Sequence, residues 1–202
     1  MADPAQRRCG DVTAAAVHPW WEWDGLLQTW RELDVPEGWR AEITEDGITM
    51  TPPPSISHND IASLVDRALV RGLPDNLRVF QTLGVAIPAV NRLYIPDVCV
   101  VRGNDLHKGT ELTAEQVLLA VEVTSKRNAE HDRKKKTWHY AHGPVPLYLL
   151  IDRYDADGPA VTLFSHPVDG HYQRQTRVPF GDSIELPDPV ALTVETSDFP
   201  KQ

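Results

Sequence analysis

The stretch "VLLAVEVTSKRNAEHDRKKKTWHYAHGPVPLYLLID", Val117 to Asp152, decides the fold. It opens with "VLLAVEVTS", a near-continuous apolar run of the kind expected for a strand covered on both faces. "PLYLLID", at its end, is a second such run. Between them the basic block from about Lys126 to His142 predicts a helix closed by Gly143 and Pro144. Strand, crossover helix, strand in that order predicts a parallel pair, because no tight turn can join parallel strands. One acid, Glu122, stands inside the first apolar run. A buried carboxylate is costly unless it is paired, protonated or holding a cation, so Glu122 needs a partner.

Upstream of this unit, "LRVFQ", "GVAIPAV" and "LYIPDVCVVR" have strand character. Before them, "SISHNDIASLVDRALVRGL" sets Ile61, Leu64, Val65, Ala68 and Leu69 on one face behind Ser57 as N-cap, which predicts a helix of about four turns. "WRAEITEDGITMT" carries the Asp46-Gly47 signal of a hairpin, ended by the prolines at 52 to 54. "WWEWDGLLQTWRELDVPEGW" places Leu26, Leu27, Trp30 and Leu33 at helical spacing, closed by Pro36 and Gly38. Downstream, "AVTLFSH", "HYQRQTR" and "SIELPD" predict short strands joined by Asp, Gly and Pro turns. The fold class is α/β, with a mixed sheet flanked by helices. Residues 1–18 are expected to be a flexible tail, and residues 19–202 a single domain, without internal repeats.

Composition narrows the setting. With 202 residues and 41% hydrophobic content, the chain can build one well-packed core. Cys9 in the polar tail and Cys99 in an apolar run argue against a disulfide framework and for a reducing, cytoplasmic location. No apolar run approaches the roughly 20 residues of a membrane span. "MADPAQRRCGDVTAAAVHPWW" lacks the apolar core of a secretory signal, so a soluble protein is expected. The formal net charge of -9 excludes a generic nucleic-acid coat, which would be basic. It leaves room for a local basic site: between Lys126 and Lys136 six positive residues face two negative ones. Such a run is either a phosphate-contacting surface or simply a solvated helix face.

Alternation along the strand puts Ala120, Glu122 and Thr124 on one face and Leu119, Val121 and Val123 on the other. Glu122 then lies near the C-terminal end of the strand, where open α/β sheets place ligands. Asp97, after Pro96 and before "VCVV", has a comparable setting. Two convergent carboxylates suit magnesium, which takes oxygen ligands and keeps several waters. Without the ion, two such like charges would repel, so neutralising either would cost little stability. The residues alone also admit a plainer reading, with Asp97 as a turn or cap residue and Glu122 as an ion-pair partner of the basic helix.

"YIPDVCVV", "LAVEVTS", "DRKKKTWHYA" and "VPLYLLID", with "AEITEDGITMTPPPSISH" upstream, resemble the Uma-two family of restriction endonucleases, within the PD-(D/E)XK nuclease superfamily. The resemblance covers roughly Glu42 to Asp152 and implies a restriction-endonuclease-like mixed central sheet. It implies that Asp97 and Glu122 bind magnesium together with the Val123 carbonyl, and that manganese can substitute. The superfamily's usual lysine would fall at Thr124, which carries no charge. The resemblance instead implies that Lys136 on the following helix is the catalytic cation, and a lysine placed at Thr124 would then reach the same phosphate. Lys136 shares a helical face with Asp132 and Tyr140, so a surface pair with Asp132 is its plainer reading. Glu42 and His58 also match family positions: Glu42 would orient a water or the lysine, while His58 would touch phosphate or cap its helix. Asp152 recurs in the pattern without an assignable role. The implied activity is magnesium-dependent hydrolysis of DNA, by a monomer or a homodimer, with Lys134 and Lys135 on backbone phosphates. The alternative, kept open by Thr124, is a nuclease-fold module of weak or no activity that binds nucleic acid or a protein partner.

Overall fold

The computed structural model describes residues 22–106, 111–126, 130 and 132–200. The tail expected over residues 1–18, and Cys9 with it, lie outside them. In chain order the elements are α1 (Trp23–Glu32), β1 (Arg40–Thr44), β2 (Gly47–Thr51), α2 (Ile56–Gly72), β3 (Leu77–Phe80), β4 (Val85–Ile87), β5 (Arg92–Tyr94), β6 (Val98–Arg102), β7 (Leu112–Thr113) and β8 (Val117–Val123). A π turn (Asp132–Lys136) leads directly into α3 (Thr137–His142). After it come β9 (Leu147–Asp152), β10 (Ala160–Val168), β11 (His171–Pro179), β12 (Ile184–Leu186) and β13 (Leu192–Val194).

The central six-stranded sheet has the order β11-β10-β9-β8-β6-β3. Its β8–β9 pair is parallel, as the crossover requires, and its other neighbours are antiparallel. A second sheet has the order β2-β1-β5-β4-β7, and β12 pairs with β13 in a separate ribbon. The α/β class with a mixed sheet flanked by helices is therefore what the chain adopts. Every residue of β8 is buried because both faces of the central sheet are covered. On one face Leu119, Val121 and Val123 pack with Ile61, Val65 and Leu69 of α2 and with the ribbon. On the other, Ala120, Tyr148 and Leu150 pack with Tyr140 of α3 and with Val85 and Ile87 from the second sheet. Helix α1 buries Leu27 against Ile43 and Leu93 of that second sheet. Among the described residues no helix is long and apolar enough to cross a membrane.

Three local expectations change. The N-cap of α2 is Ser55, whose side chain accepts from the His58 amide at 3.4 Å, and Ser57 is already inside the helix. The run "LYIPDVCVVR" is two strands in two sheets: β5 ends at Tyr94 in the second sheet, and β6 begins at Val98 in the central one. Pro96, which cannot donate to a ladder, stands at the crossing. Of the helix expected from Lys126 to His142, the described part is the π turn and α3, while residues 127–129 and 131 lie outside the described residues.

Candidate active site

The crossing between the sheets places Asp97. Its amide donates to the Val121 carbonyl at 3.0 Å, which fixes the entry to β6 beside β8. The Val123 amide donates to Oδ2 at 2.8 Å, and Arg40 Nη1, from the start of β1, donates to Oδ1 at 2.6 Å. His58 Nε2 lies 2.9 Å from the same Oδ1, near enough for a charge contact but off the hydrogen-bond line, so Nε2 has no hydrogen-bond partner among the described residues. Burial alone would raise the Asp97 carboxyl. His58, Arg40 and the Val123 amide outweigh it and hold the group down at about 2.

Glu122 has the partners its burial demands. Lys136 Nζ donates to Glu122 Oε1 at 2.8 Å and the Tyr140 hydroxyl donates to the same oxygen at 2.9 Å. Lys136 itself is only 6% exposed, an ammonium enclosed by its partners. Its Nζ stands 3.5 Å from Glu42 Oε1 and 4.9 Å from the centre of the Tyr94 ring. Glu42 is fixed in turn by the Ile95 amide, which donates to Oε1 at 2.8 Å. Burial first, then the Glu122 charge, pushes the Tyr140 phenol well above its ordinary range, so it stays protonated and donates.

Arg40, Glu42, His58, Asp97, Glu122, Val123 and Lys136 line one cleft of about 620 Å³, whose wall also includes Thr124, Lys126 and Arg153. Lys134 and Lys135 are not among the lining residues. Lys134 pairs with Glu130 at 2.9 Å on the exposed surface, and Lys135 pairs with Glu45 in the β1–β2 turn. Thr124 is fully buried; its hydroxyl donates to Asp152 Oδ1 at 3.0 Å and accepts from the Arg153 amide at 3.2 Å. Asp152 also takes the Arg133 guanidinium and the Tyr154 amide. It thereby pins the turn that delivers Lys136, a role its sequence position did not disclose. The side chain of Asp132 lies outside the described residues.

The family model described as "Putative restriction endonuclease", Uma2, matches residues 27–197. The chain belongs to this family. A crystal structure of a "putative nuclease" from Anabaena variabilis is similar over 88% of this chain and 96% of that one, with a TM-score of 0.68 and 19% identity, a likeness of fold. No curated protein matches.

Within this Uma2 site the Asp97 and Glu122 carboxylates line one cleft, and carboxylate oxygens are donors of the kind that magnesium takes. Among the described residues no cluster of three or more His, Cys, Asp or Glu forms a ready-made cage. Two carboxylates would supply only part of a magnesium shell and do not make a closed structural site. Arg40 and Tyr140 are the site residues that the sequence reading missed. Tyr140 was visible only as a neighbour of Lys136 on the helix face, and Arg40 had no local signal, since its partner lies 57 residues away.

Proposed function

We propose that this Uma2 protein is a metal-dependent endonuclease that hydrolyses phosphodiester bonds in DNA, built as one nuclease domain over residues 19–202 and working in the cytoplasm. The observation that supports it most is the ammonium of Lys136 on Glu122, 2.8 Å apart, in the same cleft as Asp97. We read this as the acid, acid and lysine set of the superfamily, with the lysine supplied by the π turn before α3 in place of Thr124. Asp97 and Glu122 are the residues that would hold magnesium, or manganese in its stead, and such an ion supplies charge neutralisation and acidification of water. Lys136, held by Glu42 and Glu122, presents a positive charge where negative charge develops on the phosphoryl oxygens. Tyr140 holds the Glu122 carboxylate in one orientation, so the site needs little reorganisation.

A second reading rests on a specific contact: Arg40 and His58 already engage Asp97 Oδ1, which would suit a module that binds nucleic acid without cutting it. Plasmid nicking separates the two. With manganese the parent protein is expected to convert supercoiled plasmid to the open circle, EDTA to stop it, and Glu122→Gln to lack it. Manganese-dependent binding without any nicking would favour the second reading.

A further inference from the structure

The cleft wall holds Arg40, Lys126, Lys136 and Arg153 as its arginine and lysine side chains. Arg40 is engaged by Asp97, and Lys136 by Glu122 and Glu42. Arg153, the first residue after β9, differs from both. The residue is 9% exposed, its Nε is sealed from solvent, and that nitrogen has no hydrogen-bond partner among the described residues. The acids nearest in sequence are occupied: Asp152 by Thr124, Arg133 and the Tyr154 amide, and Asp155 by Arg177 at 3.0 Å. Among the described residues the guanidinium meets only the face of the Tyr154 ring, 5.5 Å away. Its main chain is anchored, because the Arg153 amide donates to the buried Thr124 hydroxyl. With Nε sealed, the terminal nitrogens of this cleft-lining residue are the ones left for a ligand, and the flat end of a guanidinium fits two oxygens of a phosphate.

We propose that Arg153 is a phosphate-binding residue of the cleft, which holds a phosphate of the polynucleotide beside the one under attack. The identity of that phosphate as part of DNA rests on the nuclease reading, whereas the anion site itself does not. Glu122 pairs with Leu150 in the β8–β9 register, so Arg153 follows three residues beyond that partner, just past the end of β9, and the ligand assigned to it is a neighbouring phosphate and not the scissile one. Thr124 then has a positive reason to be neutral: its hydroxyl holds Asp152 and the Arg153 amide in register, and so sets the distance between the Lys136 site and the Arg153 site.

The test uses the full chain and a short fluorescein-labelled duplex in EDTA, with affinity followed by anisotropy over a salt series. Arg153→Gln is expected to weaken binding about tenfold. It should also lower the log-log salt slope by about 0.9, the value of one phosphate contact. Arg153→Lys should keep the slope while losing part of the affinity, since it keeps the charge but not the fork. Arg71→Gln, on the exposed last turn of α2, is the charge-matched control. Melting temperature supplies an independent readout: removal of an unpaired buried cation should leave Arg153→Gln at least as stable as the parent, whereas a packing role would lower it. Parental affinity and slope in Arg153→Gln would overturn the proposal, as would a lower melting temperature with an unchanged slope. If the parent protein itself does not bind duplex, the DNA reading fails and inorganic phosphate decides the anion site. Stabilisation of the parent but not of Arg153→Gln, at matched ionic strength, would then support Arg153, and equal stabilisation of both would overturn it.

Discussion

Lys136 reaches Glu122 from fourteen residues further along the chain, and both groups depend on that contact. Lys136→Ala should lower single-turnover cleavage by about 10² to 10³, the usual loss for one electrostatic donor at a developing charge. Metal affinity should not fall, because the ammonium shares Glu122 with the ion and does not help to hold it. The variant should also be destabilised in EDTA, since it leaves Glu122 buried with one charge partner fewer. Lys136→Arg should rescue poorly, as a planar guanidinium does not fit the enclosure between Glu42, Glu122 and Tyr94. Parental cleavage by Lys136→Ala would refute the assignment. Asp97→Asn, Glu122→Gln and their combination should lose similar activity, because groups that act on one ion are not additive. The expectation that neutralising either acid is harmless to the metal-free protein does not survive the geometry: Asp97→Asn leaves Arg40 without its carboxylate, so its melting temperature should fall. The sequence marked Glu122 by its place in an apolar run and Asp97 by a comparable setting, whereas Lys136 was singled out only by the family resemblance, its local signal being a surface pair with Asp132. Arg40, Tyr140 and the His58 contact were not legible there, since they exist only once two sheets and two helices meet.

At the scale of elements, the π turn and α3 deliver Lys136 and Tyr140 to the same oxygen of Glu122, and Asp152 anchors that delivery through Arg133 at the end of β9. The sequence placed Thr124 on the face of Glu122, which suggested that a lysine there could replace Lys136. The structure changes the expected outcome of Thr124→Lys combined with Lys136→Ala. Thr124 is fully buried and its hydroxyl is committed to Asp152 and the Arg153 amide, so a lysine would break both bonds and unseat the turn. The double variant should recover no cleavage and should melt lower than Lys136→Ala alone, as measured by calorimetry and plasmid nicking; recovery would show that the strand position and the helix position serve one site. The parallel β8–β9 pair was readable because apolar runs flank a basic helix, whereas the division of "LYIPDVCVVR" was not. Both halves are apolar and buried, and only the pairing partners, β4 and β1 for the first half and β3 and β8 for the second, distinguish the two sheets.

At the scale of the whole molecule, Asp97 is a junction: β1 supplies Arg40, α2 supplies His58, β8 supplies the Val123 amide, and the chain itself passes there from the second sheet into the central one. Protonation of this one carboxyl should therefore weaken the seam between the sheets and not merely a local contact. Its folded-state value is lowered from 3.8 to about 2, although burial opposes the shift. For a carboxyl depressed in this way, the added stability is fully present above the unfolded value near pH 4 and is lost as pH falls through the folded value near pH 2. The loss should be on the order of 2 kcal/mol across that window. Arg40 stays charged throughout, so the effect belongs to the carboxyl. Other acids titrate in the same range, which makes the difference between parent and Asp97→Asn the quantity to measure. In urea melts at successive pH values from 5 to 2, the parent should lose its advantage over Asp97→Asn as the pH falls, until the two converge near pH 2. Parallel curves with a constant gap would mean that Asp97 contributes no proton-linked stability and that the seam is held by apolar packing alone.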